Sequence, residues 1–223
     1  MSDTRGYSGH VDNGGAASLR SVQVRDGLTV EVRKRSVGPL DNNAYLLTDT
    51  LSNIAVLIDA ANDASRILAE VGDRELAAII TTHGHADHWQ ALAEVADATG
   101  APTYLHPGDA GRVPRAVDVP VVDLGRVAFG AAEVEFLHTP GHTPGSTCLR
   151  VEGSPVLFSG DTLFSGGPGN TRRNAVDFAT IIRSIQQRLL TLPDDTVVMP
   201  GHGDDTTVGA ERPHLQEWID RGW

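Results

Sequence analysis

Apolar and polar residues alternate one by one along Leu28–Val37, the period of a strand with one face buried. Asn43–Thr48 and Ile54–Asp59 carry shorter runs of the same kind, joined by the polar turn Asp49-Thr50-Leu51-Ser52-Asn53. The chain is therefore expected to open with an antiparallel sheet. Helical spacing follows in Asp63–Val71 and stops at Gly72, a plausible C-cap. The pattern then predicts a strand over Leu76–Thr82, a helix over about Trp89–Thr99 closed by Gly100, a short strand over Thr103–His106 and one or two helical turns over Pro107–Val113.

Strand patterns without intervening helices return in Val119–Leu124, Val127–Phe129 and Ala132–His138. They continue in Ser146–Val151 and Pro155–Ser159, across the turn Glu152-Gly153-Ser154. Val176, Phe178, Ile181, Ile182, Ile185 and Leu189 fall on one face of a helix, and Thr196–Met199 and Glu211–Asp220 read as a last strand and a last helix. Strands bunched in two groups, each flanked by helices, fit two packed sheets with helices outside: an α/β sandwich. Met1 to about Arg20 is rich in Gly, Ser, Asp and Asn and has little to bury, so residues 1–20 are expected to be a flexible tail and 21–223 a single domain. With 223 residues, 40% of them apolar, the chain can fill one sizeable core.

Charge narrows the partners. Eighteen basic residues against 29 acidic ones give a net charge of −11, a surface that repels nucleic acid and anionic membrane. The single cysteine, Cys148, rules out an intramolecular disulfide framework and suits a small buried residue in an alternating strand. No charged-then-apolar leader pattern opens the chain, and no apolar run has the length of a membrane span. The expectation is a cytoplasmic protein that acts on a small molecule; the sequence does not determine the oligomeric state.

The chemistry concentrates in Thr81-Thr82-His83-Gly84-His85-Ala86-Asp87-His88, directly behind the apolar run Leu76–Ile80. In extended backbone, residues two apart point to the same side, so His83 and His85 can face one ion while Asp87 and His88 turn toward another. Three further apolar runs each end in a proline or glycine corner that presents one donor: His142 after Thr139-Pro140-Gly141, Asp161 after Ser159-Gly160, and His202 after Pro200-Gly201. Five histidines and two aspartates suit two borderline-hard cations. A first ion would take His83, His85 and His142; a second would take Asp87, His88 and His202; Asp161 would bridge them. Zinc fits nitrogen and oxygen donors best, and iron or manganese also suits a site without thiolate. Asp59, Thr81 and Thr82 can orient imidazoles or simply end strands. Ser146 and Ser159 fit strand-end hydrogen bonds better than nucleophilic roles, His10 lies in the expected tail, Arg172 and Arg173 can bind a carboxylate or be solvated, and Trp89 can line the mouth or pack its helix.

Together, His-Gly-His-Ala-Asp-His at 83–88, Thr-Pro-Gly-His-Thr-Pro-Gly-Ser at 139–146, Ser-Gly-Asp-Thr-Leu-Phe at 159–164 and Pro-Gly-His-Gly at 200–203 resemble the metallo-β-lactamase fold superfamily. Within it, the chain looks most like the glyoxalase II (hydroxyacylglutathione hydrolase-like) branch. The resemblance implies a four-layer αββα sandwich and a dinuclear metal centre built from those seven residues. It also implies a metal-dependent hydrolase that uses hydroxide held by two ions, with small thioesters as the leading substrates and Asp87 taking up the proton of the water. Other members keep different readings open: a mononuclear iron persulfide dioxygenase using His83, His142 and Asp161, a lactone or other ester hydrolase, and a non-enzymatic, metal-stabilised binding module. Three departures matter. Asn170 stands where relatives often carry arginine, Leu163 and Phe164 stand where lactonases show tyrosine, and Asp161 stands where β-lactamases commonly use cysteine.

Overall fold

The computed structural model describes residues 9–222. Strands β1 (Ser18–Arg25), β2 (Leu28–Val37), β3 (Asn42–Asp49) and β4 (Ile54–Ile58) pair antiparallel in chain order; the last three are those the alternation predicts, and β1 is an unexpected addition. Helix α1 (Ala64–Val71) leads to β5 (Glu75–Ile80), and α2 (Leu92–Thr99) to β6 (Thr103–Leu105); these strands and β7 (Val119–Pro120) extend the sheet in parallel. The near-continuous apolar runs of β4 and β5 suit strands covered on both faces.

The second sheet contains β8 (Arg126–Phe129), β9 (Ala132–His138), β10 (Thr147–Val151) and β11 (Val156–Gly160). After the small hairpin β12 (Leu163–Phe164) and β13 (Gly167–Pro168), helix α3 (Ala175–Ser184) runs into a π-helical turn over Ile185–Leu189 and returns the chain to β14 (Val197–Pro200). β14 lies parallel to β11, and β15 (Thr206–Thr207) closes that edge. Helices α4 (Val208–Glu211) and α5 (Leu215–Arg221) follow.

Three apolar clusters define the layers. Val30, Val32, Tyr45 and Ile58 of the first sheet meet Phe129, Val134, Phe158 and Met199 of the second. The outer face of the first sheet packs Leu46 and Leu57 on Ile67, Val71, Leu92 and Val95; that of the second packs Cys148 and Leu157 on Phe178, Ile181, Ile185 and Trp218. Each fully buried side chain of this size stabilises the fold by about 1.5–3 kcal/mol. The result is the expected αββα sandwich. No helix among the described residues is long and apolar enough to cross a membrane.

Several boundaries differ from expectation for local reasons. The strand expected over Val119–Leu124 stops at Pro120, and the chain turns through Leu124 (φ 62°). The helix expected from Trp89 begins at Leu92, because a 3₁₀ turn over Ala86–His88 aims the histidine loop first. Pro213 tightens residues 212–214 into another 3₁₀ turn and splits the expected final helix into α4 and α5. The stretch expected as a tail to residue 20 reaches β1 at Ser18, and its described part is tied down: Asn13 Nδ2 donates to Gly38 O, and Arg66 to Gly14 O. Residues 1–8 lie outside the described residues. Lys34 takes a position on β2 that alternation assigns to the core. Its fully buried ammonium donates to Gly9 O (2.7 Å), Gly203 O (2.7 Å) and Asp205 Oδ1 (2.8 Å), fastening the N-terminal segment to the loop behind His202.

Candidate metal centre

Strands β5, β9, β11 and β14 end at the same edge of the sandwich, so the four corners read from the sequence converge. Backbone bonds lock them together: Thr147 N donates to Thr82 O (3.0 Å), Gly201 N to Gly160 O (2.8 Å) and Asn43 N to Gly201 O (2.7 Å). Two glycines are needed for this closeness. Gly160 is left-handed (φ 48°), and a side chain there would meet Thr82 Cβ at 2.8 Å. At Gly201 a Cβ would overlap Asp161 Oδ1 and come within 2.7 Å of His88 Cε1.

The seven side chains lie together at this edge. His85 Nδ1 lies 3.0 Å from His83 Nε2 and 2.8 Å from His142 Nε2. His88 Nε2 and His202 Nε2 are 3.2 Å apart, and Asp87 Oδ2 is 3.6 and 3.3 Å from them. Asp161 sits between the groups: Oδ2 is 3.3 Å from His142 Nε2 and 3.7 Å from His202 Nε2, while Oδ1 is 3.5 Å from His88 Nε2. Three sets can each hold an ion: His83 with His85 and His142, Asp87 with His88 and His202, and His83 with His88 and Asp161.

The nitrogens turned away from the cluster show that the donors fit a cation. His88 Nδ1 donates to Asp59 Oδ2 (2.8 Å), His142 Nδ1 to Asn170 O (2.8 Å) and His202 Nδ1 to Leu40 O (2.9 Å). His83 Nδ1 donates to Thr82 Oγ1 (3.1 Å), which itself donates to Asp59 Oδ2 (2.8 Å). With those nitrogens protonated, each Nε2 turns a lone pair toward its neighbours, an arrangement that a cation relieves. Asp161 Oδ1 is buried and makes no hydrogen bond among the described residues, a second sign of a missing positive partner.

Electrostatics follow from the same contacts. Burial lowers the pKa of His83 well below the ordinary histidine value, and the charge of His88 adds to it. Burial also lowers His85 and His142. At His88 burial acts in the same sense but is outweighed by Asp161 and Asp59, which raise it; at His202 burial is outweighed by Asp87 and Asp161. Burial opposes ionisation of Asp161, yet His88, His83 and His142 hold its carboxyl well below the usual range. The hydrogen bond with His202 does the same for Asp87, against burial.

Of the supporting residues expected, Asp59 and Thr82 orient imidazoles. Thr81 does not: its amide donates to Tyr104 O, and its buried hydroxyl makes no hydrogen bond among the described residues. Trp89 Nε1 donates to Gly84 O (3.1 Å) and braces the histidine loop. Ser146 Oγ accepts from Thr143 N and Ser159 Oγ donates to Leu163 O, so both serines are engaged in turns. His10 hydrogen-bonds Asp204 and Asp12, away from the cluster. Two residues escaped the sequence reading. Asn42 Nδ2 donates to Asp87 Oδ2 (3.0 Å), and the fully buried Asp109 accepts from Gly84 N and Thr143 Oγ1, joining the loops that carry His83 and His142. Polar residues in unremarkable sequence surroundings carry no signal until the fold brings these loops together.

This fold and donor set define a class. The profile of the metallo-beta-lactamase superfamily matches residues 37–202, and the chain belongs to that superfamily. An uncharacterised protein of Mycobacterium leprae is 38% identical over 201 residues, covering 78% of this chain and 92% of the relative. The probable metallo-hydrolase YqgX of Bacillus subtilis is 34% identical over 199 residues (81% and 93%), and the hydroxyacylglutathione hydrolase GloC of Haemophilus influenzae 32% over 200 (79% and 92%). Among solved structures, the BLEG-1 B3 metallo-beta-lactamase superposes with a TM-score of 0.77 at 29% identity, covering 84% of this chain and 99% of the other. TTHA1623 in a di-iron-bound form gives 0.67 at 33% (79% and 95%), and ETHE1 from Myxococcus xanthus 0.74 at 29% (85% and 88%).

Proposed function

We propose that the protein is a metal-dependent hydrolase of small thioesters that works with two divalent ions, zinc foremost. His83, His85 and His142 would hold one ion, Asp87, His88 and His202 the other, and Asp161 would bridge them. The observation that carries this reading is Asp161, whose carboxylate faces imidazoles of both groups while Oδ1 lacks a hydrogen bond. Relatives named as hydroxyacylglutathione hydrolase and a similar structure in a di-iron-bound form support the thioester class and the count of two.

Bound there, such ions would supply Lewis acidity and lower the pKa of a bound water toward about 7. Asp87 stays ionised, with Oδ2 engaged by Asn42 and His202. The Asp87 carboxylate orients the attacking water, takes up its proton and passes it to the leaving thiolate as the thioester carbon–sulfur bond breaks, giving a carboxylic acid and a thiol. No covalent nucleophile is required, in keeping with the engaged hydroxyls of Ser146 and Ser159 and the buried thiol of Cys148.

The test is metal analysis by mass spectrometry on protein produced without added zinc bias, followed by assay against thioesters, lactones, β-lactams and phosphodiesters. Two ions per chain with thioesters hydrolysed fastest is the expected result. A single iron with oxygen uptake on a persulfide, or full loading with no turnover across the panel, would overturn the reading.

A further inference from the structure

Two clefts flank the metal cluster, and their chemistry differs. One, of about 310 Å³, lies against His85 and His142 and is lined also by Arg112, Arg172, Asn174 and Asp177. The other, of about 440 Å³, lies against His202 and is lined by Phe164, Ser165, Gly203 and Asp204. The first thus carries two guanidiniums and one carboxylate; the second carries a carboxylate, an aromatic ring and no lysine or arginine.

Each arginine is attached to the ligand framework. The Arg112 side chain packs on the histidine loop, because a Cβ at Gly84, between His83 and His85, would meet its Cδ at 2.7 Å. Its Nε lies 3.4 Å from Oδ1 of the buried Asp109, and its terminal nitrogens make no bond among the described residues. Arg172 lies two residues beyond Asn170, whose carbonyl accepts from His142 Nδ1; its backbone amide donates to Asn170 Oδ1 (2.6 Å) and its φ is 53°. The Arg172 guanidinium makes no ion pair among the described residues, in a chain whose net charge is −11. Arg173 does not line the cleft.

We propose that this cleft receives a carboxylate-bearing arm of the substrate, held between Arg112 and Arg172, with the uncharged remainder of the molecule toward Phe164. The proposal rests on the thioester reading and names its substrate class: small thioesters with an anionic end. Planar guanidiniums match carboxylates through paired N–H donors, and two of them outweigh the single Asp177. A volume of about 310 Å³ is roughly ten water volumes, room for a short carboxylate arm.

The experiment uses the full metal-loaded chain and a matched pair of substrates, S-acetyl-mercaptopropionate and S-acetyl-mercaptopropanol, with acetyl-coenzyme A as a third. Wild type is expected to favour the carboxylate by about tenfold or more in kcat/KM, chiefly through KM. R112Q and R172Q should each erase most of that preference, read as the ratio of kcat/KM between the paired substrates within each variant, and R173Q should keep the wild-type ratio. Equal treatment of the pair, preference surviving in R172Q, or coenzyme A preferred over the carboxylate would overturn the proposal. A calorimetric arm separates it from the thioester reading: mercaptopropionate should bind more tightly than mercaptopropanol in wild type and lose that advantage in R172Q. If no thioester is hydrolysed, the thioester reading falls, and this binding difference, present or absent, still decides the cleft.

Discussion

Asp59 Oδ2 lies 2.8 Å from His88 Nδ1, and the same oxygen accepts from Thr82 Oγ1, the group that takes the Nδ1–H of His83. One buried carboxylate therefore fixes imidazoles in both donor groups. Asp59 itself is left-handed (φ 55°), and its Oδ1 accepts from Thr82 N at 2.7 Å. Asp59→Ala is expected to weaken metal binding by about 10–100-fold, as loss of a partner behind a ligand generally does. Chelator competition followed by metal analysis would read the change; unaltered affinity would separate Asp59 from the donors.

Gly201 gives a sharper steric test. A methyl there overlaps Asp161 Oδ1 and approaches His88, so Gly201→Ala should displace the bridging carboxylate and reduce bound metal below that of wild type. The strain should also cost about 1–3 kcal/mol of stability, measurable by urea unfolding of the metal-free protein.

Lys34 is fully buried with three acceptors, two of them carbonyls on separate segments. Lys34→Met would leave Asp205 without that cation and Gly203 O with one donor fewer. About 3 kcal/mol of destabilisation is expected, read as a lower urea midpoint at unchanged slope.

Cys148 supplies the pH dependence. Burial pushes its thiol from 9.0 up to about 11, so the folded chain keeps the proton over a range in which the unfolded chain gives it up. Its contribution is complete below about pH 9 and is lost as pH rises toward 11, a fall of about 2–3 kcal/mol. Cys148→Ala should flatten that alkaline limb; an identical limb in both proteins would assign it elsewhere.

Removing metal should lower the melting temperature. An ion present at about a thousand times its dissociation constant adds about 4 kcal/mol to stability, so dialysis against a chelator should produce a large downward shift in calorimetry, reversed by zinc. No shift would mean that the cluster does not hold ions in the folded chain.

Much of this architecture was legible because it is written in local signals. Alternation located β2, β3 and β9; the dense run at 83–88 singled out His83, His85, Asp87 and His88, and proline and glycine corners singled out His142, Asp161 and His202. What stayed hidden depends on partners remote in sequence. Asn42 reaches Asp87 across 45 residues, Asp109 joins the loops of His83 and His142, and Lys34, at a core position of β2, shows no sign of its acceptors until Gly203 and Asp205 fold over it. Short edge pieces such as β15 lack enough residues to show a period, and the turns after Pro120 and at Pro213 are set by single residues rather than by a run.

The donors are divided unevenly between the two sheets. His83 and His85 arrive from the first and His142 from the second; Asp87 and His88 arrive from the first and His202 from the second. Neither half alone can close a cage, so an ion captured in either one acts as a rivet across the seam. Metal uptake is then expected to follow the docking of the two halves, so a damaged or truncated chain that fails to dock should retain no ion.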